Sequence, residues 1–174
     1  TIKEDKILKV VKGYSGHYTT EMGPSDTTDK IIWESDLPSV VSVNSNGNIT
    51  AKKVGIAKIT ATTTSGIKVV HYVRVKLTPT GVKITKKSKK ITKKKKSYSV
   101  TVKWTKNTNA VKYYVYRRLS TKSSYTRIAT TTKPKYIDTK VKKNKKYYYK
   151  IKAIYSNTKL NSDKTPAYAI VIGK

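Results

Sequence analysis

Apolar residues along this chain recur at every second position far more often than at helical spacing, and turn residues interrupt them at short intervals. Such alternation predicts half-buried β-strands. In the first part, "KILKVVK" (6–12) runs into Gly13 and "HYTTEM" (17–22) into Gly23-Pro24. "KIIWES" (30–35) and "VVSVN" (40–44) flank Leu37-Pro38. The Asn46-Gly47 pair in "SNGN" suits a turn with positive φ. "NITAKK", "IAKITATTT" (56–64) and "IKVVHYVRVKL" (67–77) complete seven strands in under 80 residues. The expected inward set is Ile32 or Trp33, Val41, Val43, Ile49, Ala57, Ile59, Ala61, Val70, Tyr72 and Val73.

The second part repeats the pattern. "SYSVTVKWTK" (97–106) sets Tyr98, Val100, Val102 and Trp104 on one face. "VKYYVYRRL" (111–119), "SYTRIATT" (124–131), "YIDT" (136–139), "KYYYKIKAIYS" (146–156) and "AYAIVI" (167–172) follow. The fold class expected is all-β, as two tandem immunoglobulin-like antiparallel β-sandwiches divided at Pro79 and Gly81 into residues 1–78 and 79–174.

Charge sharpens that division. Of the 39 Lys and Arg in 174 residues, 28 lie in residues 79–174, against two of the nine Asp and Glu. The first part is therefore near +4 and the second near +26; Tyr follows, with 3 before the boundary and 11 after it. Such an excess suits an acidic polymer, anionic membrane or nucleic acid. No apolar run approaches the length of a membrane span. Without Cys, disulfides and thiolate metal sites are excluded.

"IIWESDLPSVVSVNSNGNITAKKVGIAKITATT" resembles the bacterial immunoglobulin-like domain of group 2. Trp33, Pro38, Val40, Val43, Gly47, Ala51, Gly55, Ala57, Ile59 and Ala61 fall in order on that family's pattern, with Val41 where Ala is usual. The resemblance implies a spacer or adhesin module of a surface or secreted bacterial protein, with no catalytic residues. Trp104, "YYVYRR", "YIDT" and "YYYKIKA" resemble a bacterial fibronectin type III domain, which implies a fold and leaves function open.

Two candidate binding features emerge. "ITKKSKKITKKKK" (84–96) places eight Lys in thirteen residues: Lys86, Lys87, Lys89, Lys90, Lys93, Lys94, Lys95 and Lys96. It reads as a Lys-guarded edge strand packed through Val82, Ile84 and Ile91, or as a polyanion-binding strip. Alternation elsewhere puts Tyr113, Val115, Tyr147, Tyr149 and Ile151 inward, leaving Tyr114, Tyr116, Arg118, Tyr148, Lys150 and Lys152 on one outer face. Tyr rings there could stack on sugars while cations pair with carboxylate, sulfate or phosphate, or Lys stems could simply cover the rings.

Catalytic chemistry is not expected. His17 and His71 have no metal-ligand spacing, Asp138 reads as turn chemistry, and Asp138 and Asp163 are far apart. Asp26, Asp29, Glu34 and Asp36 match no Ca²⁺ loop. No metal or cofactor is implied. The expected function is that of a non-catalytic, monomeric module pair of a bacterial, Gram-positive, cell-surface or secreted protein, serving as spacer or adhesion segment. Its partners are anionic wall polymers, acidic or neutral glycans and host surface proteins, with nucleic acid bound only non-specifically. The alternative is a carbohydrate-binding region of a secreted polysaccharide-degrading enzyme.

Overall fold

A computed structural model describes residues 7–23, 28–90 and 96–173, and divides the chain into two compact units, Thr1–Leu77 and Thr78–Lys174. Each is a pair of facing sheets. Among the described residues there are fourteen strands and one short 3₁₀ turn at Thr158–Leu160, and no helix long and apolar enough to cross a membrane.

In the first unit, β1 (Ile7–Val11), β7 (Lys68–Lys76), β6 (Gly55–Thr63) and β3 (Ile31–Ser35) lie side by side in that order. Facing them are β2 (Ser15–His17), β5 (Asn48–Ala51) and β4 (Val41–Val43). The β1–β7 pairing is parallel, a departure from the antiparallel expectation; the other pairings are antiparallel. Strand β2 also falls earlier than "HYTTEM" suggested.

The core joins Val41, Ile49, Ala51, Ala57, Ile59, Val73 and Val75, with Trp33 packed against it. Register corrects the inward set on β7. Ala57 pairs with Val73 and Ile59 with His71, so Val70 and Tyr72 lie on the opposite face. Gly47 shows why the Asn46-Gly47 turn needs glycine. Its φ is +78°, and a Cβ there would meet the Trp33 indole at 3.0 Å. Asn44 Oδ1 completes the turn by accepting from the Asn46 and Asn48 amides.

In the second unit, β11 (Thr126–Thr131), β10 (Lys112–Leu119), β13 (Lys146–Ile154) and β14 (Tyr168–Val171) form one sheet. The other is β12 (Lys135–Asp138), β9 (Lys96–Lys103) and β8 (Lys83–Lys90). All pairings are antiparallel. Val100, Val102, Trp104, Tyr113, Val115, Tyr149, Ile151 and Ala153 are buried between them. Trp104 meets Tyr113 edge-on, and the Tyr113 hydroxyl accepts from the Asn107 amide, so a large ring is buried with its polar atom satisfied.

A buried carboxylate ties the two sheets together. Arg117 and Tyr149 are register partners on β10 and β13, and both reach Asp138 at the end of β12. Arg117 Nη1 lies 2.7 Å and the Tyr149 hydroxyl 2.8 Å from Asp138 Oδ2, while Oδ1 accepts from the Lys140 amide. Asp138 does shape its turn, as expected, but it is 1% exposed and its larger role is this clamp. Burial, then the hydrogen bond to Asp138, pushes the Tyr149 phenol well above its ordinary range. Burial works against the Arg117 charge, and the carboxylate outweighs it, so that pKa is raised.

Candidate functional site: a cation-capped tyrosine face

The outward face of the four-stranded sheet is set by β10 and β13. Their register pairs Tyr114 with Lys152, Tyr116 with Lys150 and Arg118 with Tyr148, so the six predicted residues form three cross-strand pairs on one face. All six are half-buried, while Tyr113, Val115, Tyr147, Tyr149 and Ile151 point inward.

The rings on this face do not stand free. Arg118 lies 4.2 Å from the Tyr148 ring centre and 5.3 Å from that of Tyr125. Lys150 is 5.0 Å from Tyr125 and Lys146 5.2 Å from Tyr148. These contacts make an alternating ladder: Lys146, Tyr148, Arg118, Tyr125, Lys150. Beside it Arg127 sits 4.4 Å over Tyr114, and Lys164 sits 4.2 Å over Tyr116.

Each such contact is worth about 0.5–1 kcal/mol where exposed. Arg118 is held further: its Nη1 donates to the Lys122 carbonyl at 2.8 Å. Tyr125, Arg127, Lys146 and Lys164 were not among the predicted residues. A bulge between Val115 and Tyr116 shifts the β11 register, and Arg127, paired with Tyr116, extends over Tyr114 instead. No sequence spacing signals that shift.

Chemically, the ladder spaces cations by means of rings. Each of these rings already has a cation within about 4–5 Å of its centre, and exposed Arg127, Lys146 and Lys164 reach solvent. The second unit has just two carboxylates to oppose its 28 cations. One is Asp138, buried in the clamp; the other, Asp163, follows β13. An array of this kind suits anions and offers a neutral ring platform little.

Within the described residues the Lys-rich tract is strand β8, paired with β9 from Lys83 opposite Lys103 to Lys90 opposite Lys96. Strand alternation divides it between two faces. Lys86 shares the side of Ile84, with Nζ donating to the Val171 carbonyl at 3.2 Å. Lys87 points the other way and is exposed, as is Lys96. Lys89 and Lys90 register with Ser97 and Lys96. Lys93, Lys94, Lys95 and Ile91 lie outside the described residues.

The first unit offers less chemistry. His17 is exposed, with Nδ1 3.0 Å from Asn48 Oδ1, and exposed His71 meets the Tyr18 ring edge-on. Asp29 accepts from the Thr64 and Ser65 hydroxyls, and Asp36 accepts from the Lys58 amide. Glu34 pairs in register with Thr60, and Asp26 lies outside the described residues. No His, Cys, Asp and Glu cluster suited to a metal occurs among the described residues. A largely apolar cleft of about 390 Å³ is lined by residues including Tyr18, Met22, Ile31, Trp33 and Val69.

Residues 1–73 match the family model of the bacterial Ig-like domain (group 2). A 61-residue stretch is 44% identical to an uncharacterized protein of Clostridium acetobutylicum, covering 34% of this chain and 15% of that protein. A 59-residue stretch is 37% identical to the lacto-N-biosidase of Bifidobacterium bifidum, covering 34% of this chain and 5% of that enzyme. The chain thus spans a small part of the curated relatives it matches. Among solved structures, a Fn3-like protein from Clostridium thermocellum is 24% identical, covering 56% of this chain and 92% of that one, with a TM-score of 0.42. A cytokine receptor complex is 15% identical over 72% of each chain, with a TM-score of 0.48.

Proposed function

We propose that this chain, a bacterial Ig-like module followed by a fibronectin type III-like sandwich, is a non-catalytic segment of a Gram-positive cell-surface or secreted protein. The first unit serves as spacer. The second holds linear anionic glycans of the wall or of a host surface by charge, acting as an adhesion element. The observation that carries this reading is the ladder of tyrosine-held cations on the β10–β13 face, in a unit with one buried carboxylate and a single other. Rings that fix the cations reduce the entropy lost when an anionic chain docks.

Retention on immobilised heparin tests it. The chain should bind at physiological salt and elute over a few hundred millimolar NaCl, since binding that releases counterions weakens steeply with salt. Arg118→Gln/Arg127→Gln/Lys150→Gln should elute clearly earlier. Unchanged elution of that variant would remove the face from the account.

A second reading draws on the match to part of a lacto-N-biosidase: the segment would be the glycan-binding accessory of a polysaccharide-degrading enzyme. It predicts salt-resistant retention on a neutral glycan, abolished by Tyr114→Ala/Tyr116→Ala. The cations already lying on both rings favour the first reading.

A further inference from the structure

The opposite sheet of the same unit carries a row of lysines in register. Register places Lys83 of β8 opposite Lys103 of β9, and Lys103 opposite Lys135 of β12. Residues in register on adjacent strands share a face, so the three ammonium groups stand abreast on the outer side of the sheet. All three are exposed. The next row along is Thr85, Thr101 and Ile137, and exposed Lys87 lies beyond, opposite Ser99. Like charges directly opposite one another destabilise a sheet, and one or two lysines suffice to guard an edge. A lysine on the central strand β9, flanked by two more, guards no edge.

Among the described residues of this unit, no carboxylate stands on this face. Asp138, at the end of β12, pairs with Val100 of β9 and points inward to Arg117. Asp163 follows β13 of the other sheet. The two outer faces of one sandwich are thus both cationic, and they look in opposite directions.

We infer that the Lys83–Lys103–Lys135 row is a second binding face for a linear anionic glycan, and that with the tyrosine ladder behind it the unit bridges two glycan strands. The inference rests on the anion-binding reading of the first face. Charge complementarity selects the occupant: rows of ammonium groups without aromatic platforms match repeated sulfate or carboxylate groups and offer nothing to stack on a base.

Bead-bound heparin, incubated with the full chain and then with fluorescent soluble heparin, reads bridging directly. Wild type should capture the soluble chains. Lys83→Gln/Lys103→Gln/Lys135→Gln should stay on the beads, within about a few-fold of wild-type affinity because the ladder is intact, yet lose most of the capture. Lys83→Arg/Lys103→Arg/Lys135→Arg should keep it, separating charge from folding. The Gln variant should also melt later than wild type, because the repulsion is gone. Capture undiminished in the Gln variant overturns the inference, as does wild type that binds the beads and captures nothing. Wild type that fails to bind heparin at all overturns the proposed function, and this inference with it.

Discussion

The two units are both sandwiches built from alternating strands, yet they treat polar groups in contrasting ways. The first has a small aliphatic core, a stacked Tyr18–Trp33 pair at 5.3 Å and an apolar cleft beside them. Two of its carboxylates hold loops: Asp29 caps Thr64 and Ser65, and Asp36 accepts from the Lys58 amide. The second buries large tyrosines, satisfies Tyr113 and Tyr149 through their hydroxyls, and clamps its sheets with Asp138. Its outer surface is overwhelmingly cationic, with Asp163 the one exposed carboxylate among its described residues. The difference teaches that a sandwich can carry a large positive surface when interior polar contacts, rather than surface ion pairs, fix its geometry.

Breaking the clamp should separate the units most sharply. Asp138→Ala strips half-buried Arg117 of its carboxylate and the buried Tyr149 hydroxyl of its acceptor, and should cost the second unit about 2–3 kcal/mol. Each unit has one Trp, so Trp104 fluorescence in a Trp33→Phe background follows the second unit in urea. Trp33 in a Trp104→Phe background should show the first unit unchanged by Asp138→Ala.

Gly47→Ala makes the reciprocal cut. A positive φ with a Cβ pressed on the Trp33 indole should cost the first unit about 1–2 kcal/mol, read from the same Trp33 signal. The second unit should not respond.

The smallest effect is in pH dependence. Tyr149 is held neutral in the folded state, its pKa raised above the ordinary phenol value by burial and by Asp138. The unfolded chain therefore releases that proton first. Stability from Tyr149 is complete below about pH 10 and declines as pH rises beyond it, so the second unit should weaken in alkali. Tyr149→Phe should flatten that decline while lowering stability at neutral pH through the lost hydrogen bond.

Much of this contrast was legible in the residues. Alternation in "YYVYRR" and "YYYKIK" put the right side chains on the outer face, because strict period two leaves little choice. On β7 it failed: Val69, Val70, Tyr72, Val73 and Val75 are apolar on both sides, and only pairing with β6 decides the inward set. The parallel β1–β7 pairing and the β11 bulge depend on tertiary register, which no local pattern encodes. The clamp was missed because Arg117 stands next to outward Arg118 and Asp138 sits in a loop motif. A signal existed: Asp138 keeps phase with Tyr136, whose partner Val102 is buried, so the acid belongs to the inward series.

The central claim, that anion affinity belongs to the second unit's faces rather than to net charge at large, is tested most directly by heparin titration of the full chain across a range of salt. Arg118→Gln/Arg127→Gln/Lys150→Gln is compared with Lys52→Gln/Lys53→Gln/Lys68→Gln, an equal loss of charge from the first unit. On this account the first variant should lose affinity at least a few-fold and show a shallower salt slope, while the second stays near wild type. Equal losses in the two variants would contradict it.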